Sequence, residues 1–235
     1  MIPIRDTAPC NITPWVTWSI IAVCVGIFIG MKLMPFELQQ WIILHYGMVP
    51  LRYSNPHLAA QYGLEPDGYL SALTGLFLHD GWLHILINVC FLWIFADNIE
   101  ARMGHFRFIV FYVLCGLASM AMQWYFVPDF VTPVLGASGA IAGVLAAYFF
   151  LYPYARVVIW VPILLLPIFI NVPAIVFLGG WVIWQLYQAT TIIVFHSTEV
   201  TVAWWAHLGG FIAGGVLFRW FLLPLPATLE QENKD

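Results

Sequence analysis

The sequence predicts an all-α integral membrane protein, a single domain built as a bundle of six transmembrane helices. Three observations lead there. Of 235 residues, 62% are hydrophobic and only 9% charged, against roughly 25% charged in a soluble domain. The apolar residues run in long stretches instead of alternating, which argues against a barrel. Each span needs roughly 20 apolar residues to cross the hydrocarbon core and must satisfy its own backbone hydrogen bonds there, so the spans are helices. The net charge of -4 comes without any Lys/Arg cluster, so no nucleic-acid surface is expected. Cys10, Cys24, Cys90 and Cys115 stand singly and read as small core residues rather than a disulfide pair or a metal site.

The elements follow in order. Residues 1–14, with Pro3, Pro9 and Pro14, form an irregular leader, and span one runs from Trp15 to Met34. From Pro35 to Asp80 the chain is a mixed loop broken at Pro50, Asn55-Pro56 and Pro66-Asp67-Gly68; a connection this long normally has a task. Span two covers Trp82 to Asn98 and span three Phe106 to Phe126, joined through Glu100-Ala101-Arg102-Met103-Gly104. After the Val127–Gly136 loop, span four starts at Ser138 and ends near Tyr152-Pro153. Val157 to Asn171, holding Pro162 and Pro167, reads as a loop and interfacial segment. Span five is Val172–Phe195, His196–Val202 a short connection, span six Ala203–Leu223, and residues 224–235 a polar tail. With the N-terminus cytoplasmic, six of the eight basic residues (Arg5, Arg102, Arg107, Arg156, Arg219 and Lys234) lie inside and only Lys32 and Arg52 outside, the asymmetry that orients membrane proteins. Both termini are then cytoplasmic, and spans two, four and six all begin at the exterior face.

Four polar side chains fall in the first turns of those three helices. Span two carries His84 and Asn88 at i, i+4, span four opens with Ser138, and span six opens with His207. Polar residues within spans are costly and usually face a bundle interior or a wet cavity. A serine hydroxyl is a weak nucleophile until a base takes its proton, and histidine does this near neutrality. The pairs Gly139/Gly143 and Gly210/Gly214 have the small-xxx-small spacing that lets helices approach closely in lipid, a reason for Ser138 to meet His207. His84, Asn88 and the Ser138 N–H would donate to the oxyanion of a tetrahedral intermediate. Taken singly, His84 and His207 read equally well as buried or pocket-lining histidines, and Asn88 as an interhelical bond worth roughly 0.6–2 kcal/mol. A metal site from His79, His84 and His207 is the competing chemistry, but H-E-x-x-H and an acidic ligand at matching spacing are missing. The chain offers no obvious aspartate to orient His207, so a dyad is expected, its ring held by packing and a span-four neighbour.

Gly136-x-Ser138-Gly139, Ala206-His207-x-x-Gly210 and His79-x4-His84-x3-Asn88 together resemble the rhomboid family of intramembrane serine proteases. The likeness runs through nearly the whole chain and includes Glu100-x-Arg102-x-Gly104, similar to a family motif that ties the cytoplasmic helix ends together. The compact length is similar to the bacterial six-span form, which implies a bacterial inner membrane. The resemblance implies Ser138 as nucleophile, His207 as general base and acid, and His84 with Asn88 around the oxyanion, with His79 structural. It implies a half-buried first loop over Pro35–Asp80, span five as a lateral gate, and His196–Val202 in a cap above the site. No cofactor is implied; the partners are transmembrane protein substrates and the lipid bilayer. Two positions depart from the pattern: Leu70-Ser71 stands where some members carry Trp-Arg, and Ala142 where some carry an aromatic residue one turn after the serine. Two other classes of function compete: a scaffold that captures membrane helices without cutting them, and a transporter using the same polar layer.

Overall fold

The computed structural model describes residues 2–66, 69–163, 166–195 and 202–224. It is mostly helical, and among the described residues three helical stretches are long and apolar enough to cross a membrane: Trp15–Lys32, Trp82–Met103 and His105–Phe126. The first is α1 (Trp15–Lys32). The second is one continuous path of α6 (Trp82–Phe91), a π-helical turn (Leu92–Ala96) and α7 (Asp97–Met103). Span two therefore does not stop at Asn98. Glu100 to Met103 are helical, and only Gly104, at φ +75°, separates them from α8 (His105–Phe126).

The centre of the bundle is α9 (Ser138–Leu151), in which every residue from Gly139 to Tyr148 is buried. A helix apolar on all faces must be surrounded, and α9 is packed between α8 and α11 (Trp204–Phe221) with α10 (Ala174–Phe195) beside it. At 14 residues α9 is only about 21 Å long, short of the ~30 Å hydrocarbon core.

Two segments differ from the sequence reading. The interval Val157–Asn171 is not a loop: β2 (Arg156–Ile163) and β3 (Leu166–Pro173) form an antiparallel hairpin in register from Arg156 opposite Pro173 to Ile163 opposite Leu166. The leader is not wholly irregular either, since β1 (Ile2–Arg5) joins as a third antiparallel strand. The fold is thus helical with one small sheet. Its β-branched run Val157, Val158, Ile159 and Val161 favours strand. The prolines are tolerated because β3 is an edge strand and β1 reaches along β2 only from Val158 to Trp160, short of Pro162. The hairpin also delays α10, which starts at Ala174 rather than Val172.

The Pro35–Asp80 loop is built from α2 (Phe36–Tyr46), α3 (Pro50–Ser54), α4 (Pro56–Gln61), α5 (Leu70–Thr74) and a 3-10 turn at Gly75–Phe77. Val49, Leu51 and Leu76 within it are buried. The breaker Asp67-Gly68, residues 196–201 of the connection before span six, and the tail beyond residue 224 lie outside the described residues.

Candidate active site

The approach to Ser138 is fixed by the long first loop. Met48 and Val134 exchange backbone hydrogen bonds at 3.2 and 2.7 Å, and the Gly136 N–H donates to the Gly75 carbonyl at 2.9 Å. Gly136 has φ +106°, a conformation side chains rarely adopt. A Cβ there would also lie 2.5 Å from His84 Nε2 and 3.3 Å from Asn88 Nδ2. Both span-two side chains therefore point at the backbone just ahead of the serine.

Behind Ser138, α9 and α11 meet backbone to backbone. A Cβ on Gly210 would lie 1.8 Å from the Gly139 carbonyl oxygen, and one on Gly214 would lie 2.2 Å from that of Gly143. Gly139 and Gly143 also admit α8, whose Ser119 Oγ and Cys115 Sγ would stand 2.1 and 2.5 Å from added Cβ atoms. The small side chain of Ala142 belongs to the same seam, 3.4 Å from a Cβ placed on Gly210. The first turn of α11 is steadied by buried Gln123 of α8, whose Oε1 accepts from the Ala206 N–H at 3.1 Å.

This seam brings Ser138 Oγ to 2.8 Å from His207 Nε2. On the other side of the ring, His207 Nδ1 lies 2.7 Å from Gln185 Oε1, with the Trp181 ring centroid 5.9 Å away. The expectation that a span-four neighbour holds the ring is corrected here: the support comes from α10. Gln185 is legible as an amide in the middle of an apolar helix, where polar groups are rarely idle, but it lacks the charge that would mark an aspartate in its place.

His84 Nδ1 lies 2.7 Å from Asp80 Oδ1. That hydrogen bond holds the Asp80 carboxyl below the usual carboxylate range. With Nδ1–H donated to Asp80, His84 can also donate from Nε2 only as the imidazolium. Asn88 Nδ2 is buried and has no hydrogen-bond partner among the described residues. The Ser138 N–H, in the first turn of α9, has no intrahelical acceptor. His79 is buried and sets its ring against that of His84, 5.1 Å between centroids and nearly edge-on. Burial, with His84 adding to it, pulls the His79 imidazole down to about 4, so it is neutral near pH 7.

These groups line a cavity of about 560 Å³ that reaches from Ser138 and His207 past Asn88, His84 and Asp80 to Leu83 and Ile87, with Val202 and Ala203 on its far side. A larger, almost wholly apolar groove of about 890 Å³ between α8 and α11 holds none of these groups.

At the opposite end of the bundle, Glu100 Oε1 accepts from the Val16 N–H at 2.9 Å and pairs with His105 Nδ1 at 2.5 Å. Its Oε2 accepts from the Thr17 N–H at 2.8 Å and from the Thr17 hydroxyl at 2.6 Å. The Arg102 carbonyl accepts from the Leu223 N–H at 2.8 Å, just beyond α11. Glu100, Arg102 and Gly104 thus join the ends of α1, α7, α8 and α11.

Comparison with known proteins identifies the family. The chain is 29% identical over 164 residues to Rhomboid protein 1, mitochondrial, of Saccharomyces cerevisiae, covering 65% of this chain and 42% of that protein. It is 30% identical over 171 residues to Rhomboid-like protein 11, chloroplastic, of Arabidopsis thaliana, covering 69% and 56%. It is also 30% identical over 103 residues, 44% of this chain and 11% of the relative, to Inactive rhomboid protein 1 of Danio rerio. The match spans about half the length of the first two relatives. Residues 66–225, which hold Ser138, His207, His84, Asn88 and the glycine seam, match the Rhomboid domain, and the chain therefore belongs to the rhomboid family.

Proposed function

We propose that this chain is an intramembrane serine endopeptidase that cleaves other membrane proteins in or beside their transmembrane segments, with Ser138 and His207 as its dyad. One observation carries the reading: Ser138 Oγ and His207 Nε2 lie 2.8 Å apart in a cavity where the Asn88 amide nitrogen has no partner among the described residues. Leaving a buried polar group unmade costs about 1–3 kcal/mol, a cost that an arriving oxyanion would remove. Ser138 Oγ attacks the scissile carbonyl as its proton passes to His207 Nε2. The oxyanion takes hydrogen bonds from Asn88 Nδ2, the Ser138 N–H and His84. His207 then gives the proton to the departing amine, and water, deprotonated in turn by His207, releases the acyl group from Ser138. The shortness of α9 supports a nucleophile sunk below the membrane surface, and the substrate helix must unwind locally before its amides can be reached.

The chain acts as one domain of six spans, α9, α10 and α11 adding three to the long apolar helices, with both termini cytoplasmic in a bacterial inner membrane and α10 on the side where substrate enters. The partners are transmembrane substrates and the bilayer. A second reading, a scaffold that binds membrane helices without cutting them, draws on the likeness to a relative named inactive; the presence of both serine and histidine speaks against it. Labelling of the purified protein by a fluorophosphonate probe decides between them. The wild type is expected to label, and Ser138→Ala and His207→Ala to lose labelling and cleavage of a transmembrane substrate by about 10⁴-fold or more. Equal labelling of the wild type and Ser138→Ala removes the protease reading.

A further inference from the structure

Gln185 sits on the one inward stripe of a helix that otherwise faces outward. Its neighbours Ile183, Trp184, Leu186 and Tyr187 are all at least half exposed. Gln185 itself is 3% exposed and stacks in helical register with Trp181 one turn before and buried Ala189 one turn after. An amide buried in an apolar helix is retained only where it has a partner, and the partner of Gln185 is the imidazole nitrogen that faces away from the serine, at 2.7 Å.

The chemistry of that contact is determined by the other nitrogen. To take the Ser138 proton, His207 must present a lone pair at Nε2, so the proton of the neutral ring must sit on Nδ1. An amide oxygen accepts from Nδ1–H and cannot stabilise the opposite tautomer. The groups facing the ring are Ser138 from α9, Gln185 and Trp181 from α10, Trp204 from its own helix, and His84 across the cavity with Asp80 behind it. Of these, Gln185 alone is bonded to Nδ1. Trp181 and Trp204, with ring centroids 5.9 and 6.1 Å away, confine the ring without choosing its proton.

Building on the protease reading, we propose that Gln185 is a positioning residue that fixes His207 in the tautomer and orientation able to accept the Ser138 proton. It fills the place an aspartate takes in a triad, but without charge, and it neither gains nor loses a proton at any step. Part of the dyad's competence therefore resides on α10, a helix that carries neither reacting group.

The test uses the full chain in detergent or liposomes, with fluorophosphonate labelling rate and NMR of the imidazole nitrogens as readouts. Gln185→Leu, which keeps the volume and loses the acceptor, is expected to label about 10- to 100-fold more slowly, the scale on which losing an orienting partner behind a functional imidazole acts at metal sites. Its His207 should no longer be held with the proton on Nδ1. Gln185→Glu, which restores an acceptor oxygen whether or not it is ionised, should recover most of the rate. Thermal melting identifies folded variants, and Gln185→Met replaces the leucine variant if that does not fold. A folded Gln185→Leu or Gln185→Met that labels at the wild-type rate, or one whose slowed rate Gln185→Glu fails to rescue, overturns the proposal. If the wild type itself does not label, the protease reading fails separately, and the tautomer spectrum alone decides the role of Gln185: an unchanged Nδ1 proton in the leucine variant rejects it.

Discussion

Glu100 and Asn88 are buried polar side chains on one continuous helical path, a few turns apart, and they are treated in opposite ways. The carboxylate of Glu100 receives four hydrogen bonds, from the Val16 and Thr17 N–H groups, the Thr17 hydroxyl and His105. Asn88 Nδ2 donates to nothing among the described residues, and Asn88 borders a cavity. A saturated network ties elements together, since every group has surrendered its bonding capacity to the fold. An unfilled donor beside an open volume has kept that capacity for something that arrives later. Within one membrane bundle, the difference separates a brace from the proposed reaction site.

Substitutions can break the comparison, and the largest effect is expected at Glu100. Glu100→Ala strips the acceptor from four donors, two of them on buried Thr17, and is expected to lower unfolding stability by roughly 2–6 kcal/mol, read by denaturant titration in detergent, while the labelling rate of the molecules that remain folded stays at the wild-type level. Asn88→Ala should do the reverse, leaving the melting temperature at or above that of the wild type but lowering kcat about 10²–10³-fold. Were Asn88→Ala instead to melt the protein without touching kcat, the distinction between the two clusters would collapse. A smaller effect attaches to His79. Its folded pKa of about 4 lies below the unfolded value of about 6.5, so between those pH values the unfolded chain binds more protons. Stability is therefore full above about pH 6.5 and falls as the pH drops toward 4, by an amount of order 3 kcal/mol. Melting curves at stepped pH should show this loss in the wild type and a flatter dependence in His79→Gln.

The juxtaposition of Ser138 and His207 could be anticipated because it rests on two patterns that survive in a bare sequence: reactive residues at helix starts, and glycines four apart that let those helices touch. Glu100, Arg102 and Gly104 stood out only through their likeness to a family motif. The hairpin was not. Pro162, Pro167 and Pro173 signal a break, and only the pairing of β2 with β3 and the limited reach of β1 show that these prolines fall where a missing N–H can be spared. Nor could spacing reveal that the first loop steadies Gly136 through Gly75, because those residues lie far apart in sequence and are joined by a backbone hydrogen bond. Gln185 was visible as a polar residue, but its partner depended on how α10 is rotated, and a helix whose apolar residues run all round gives no such phase.

The glycine seam has one further consequence. Side chains that separate two helices act as springs, since a rotamer change or a lipid squeezed against the bundle alters the gap. Gly139 against Gly210 and Gly143 against Gly214 leave nothing to compress but main chain. The spacing between α9 and α11 is thus set like a gauge block, by the fixed thickness of two polypeptide backbones, and the distance from hydroxyl to imidazole inherits that tolerance whatever the thickness or tension of the membrane around it.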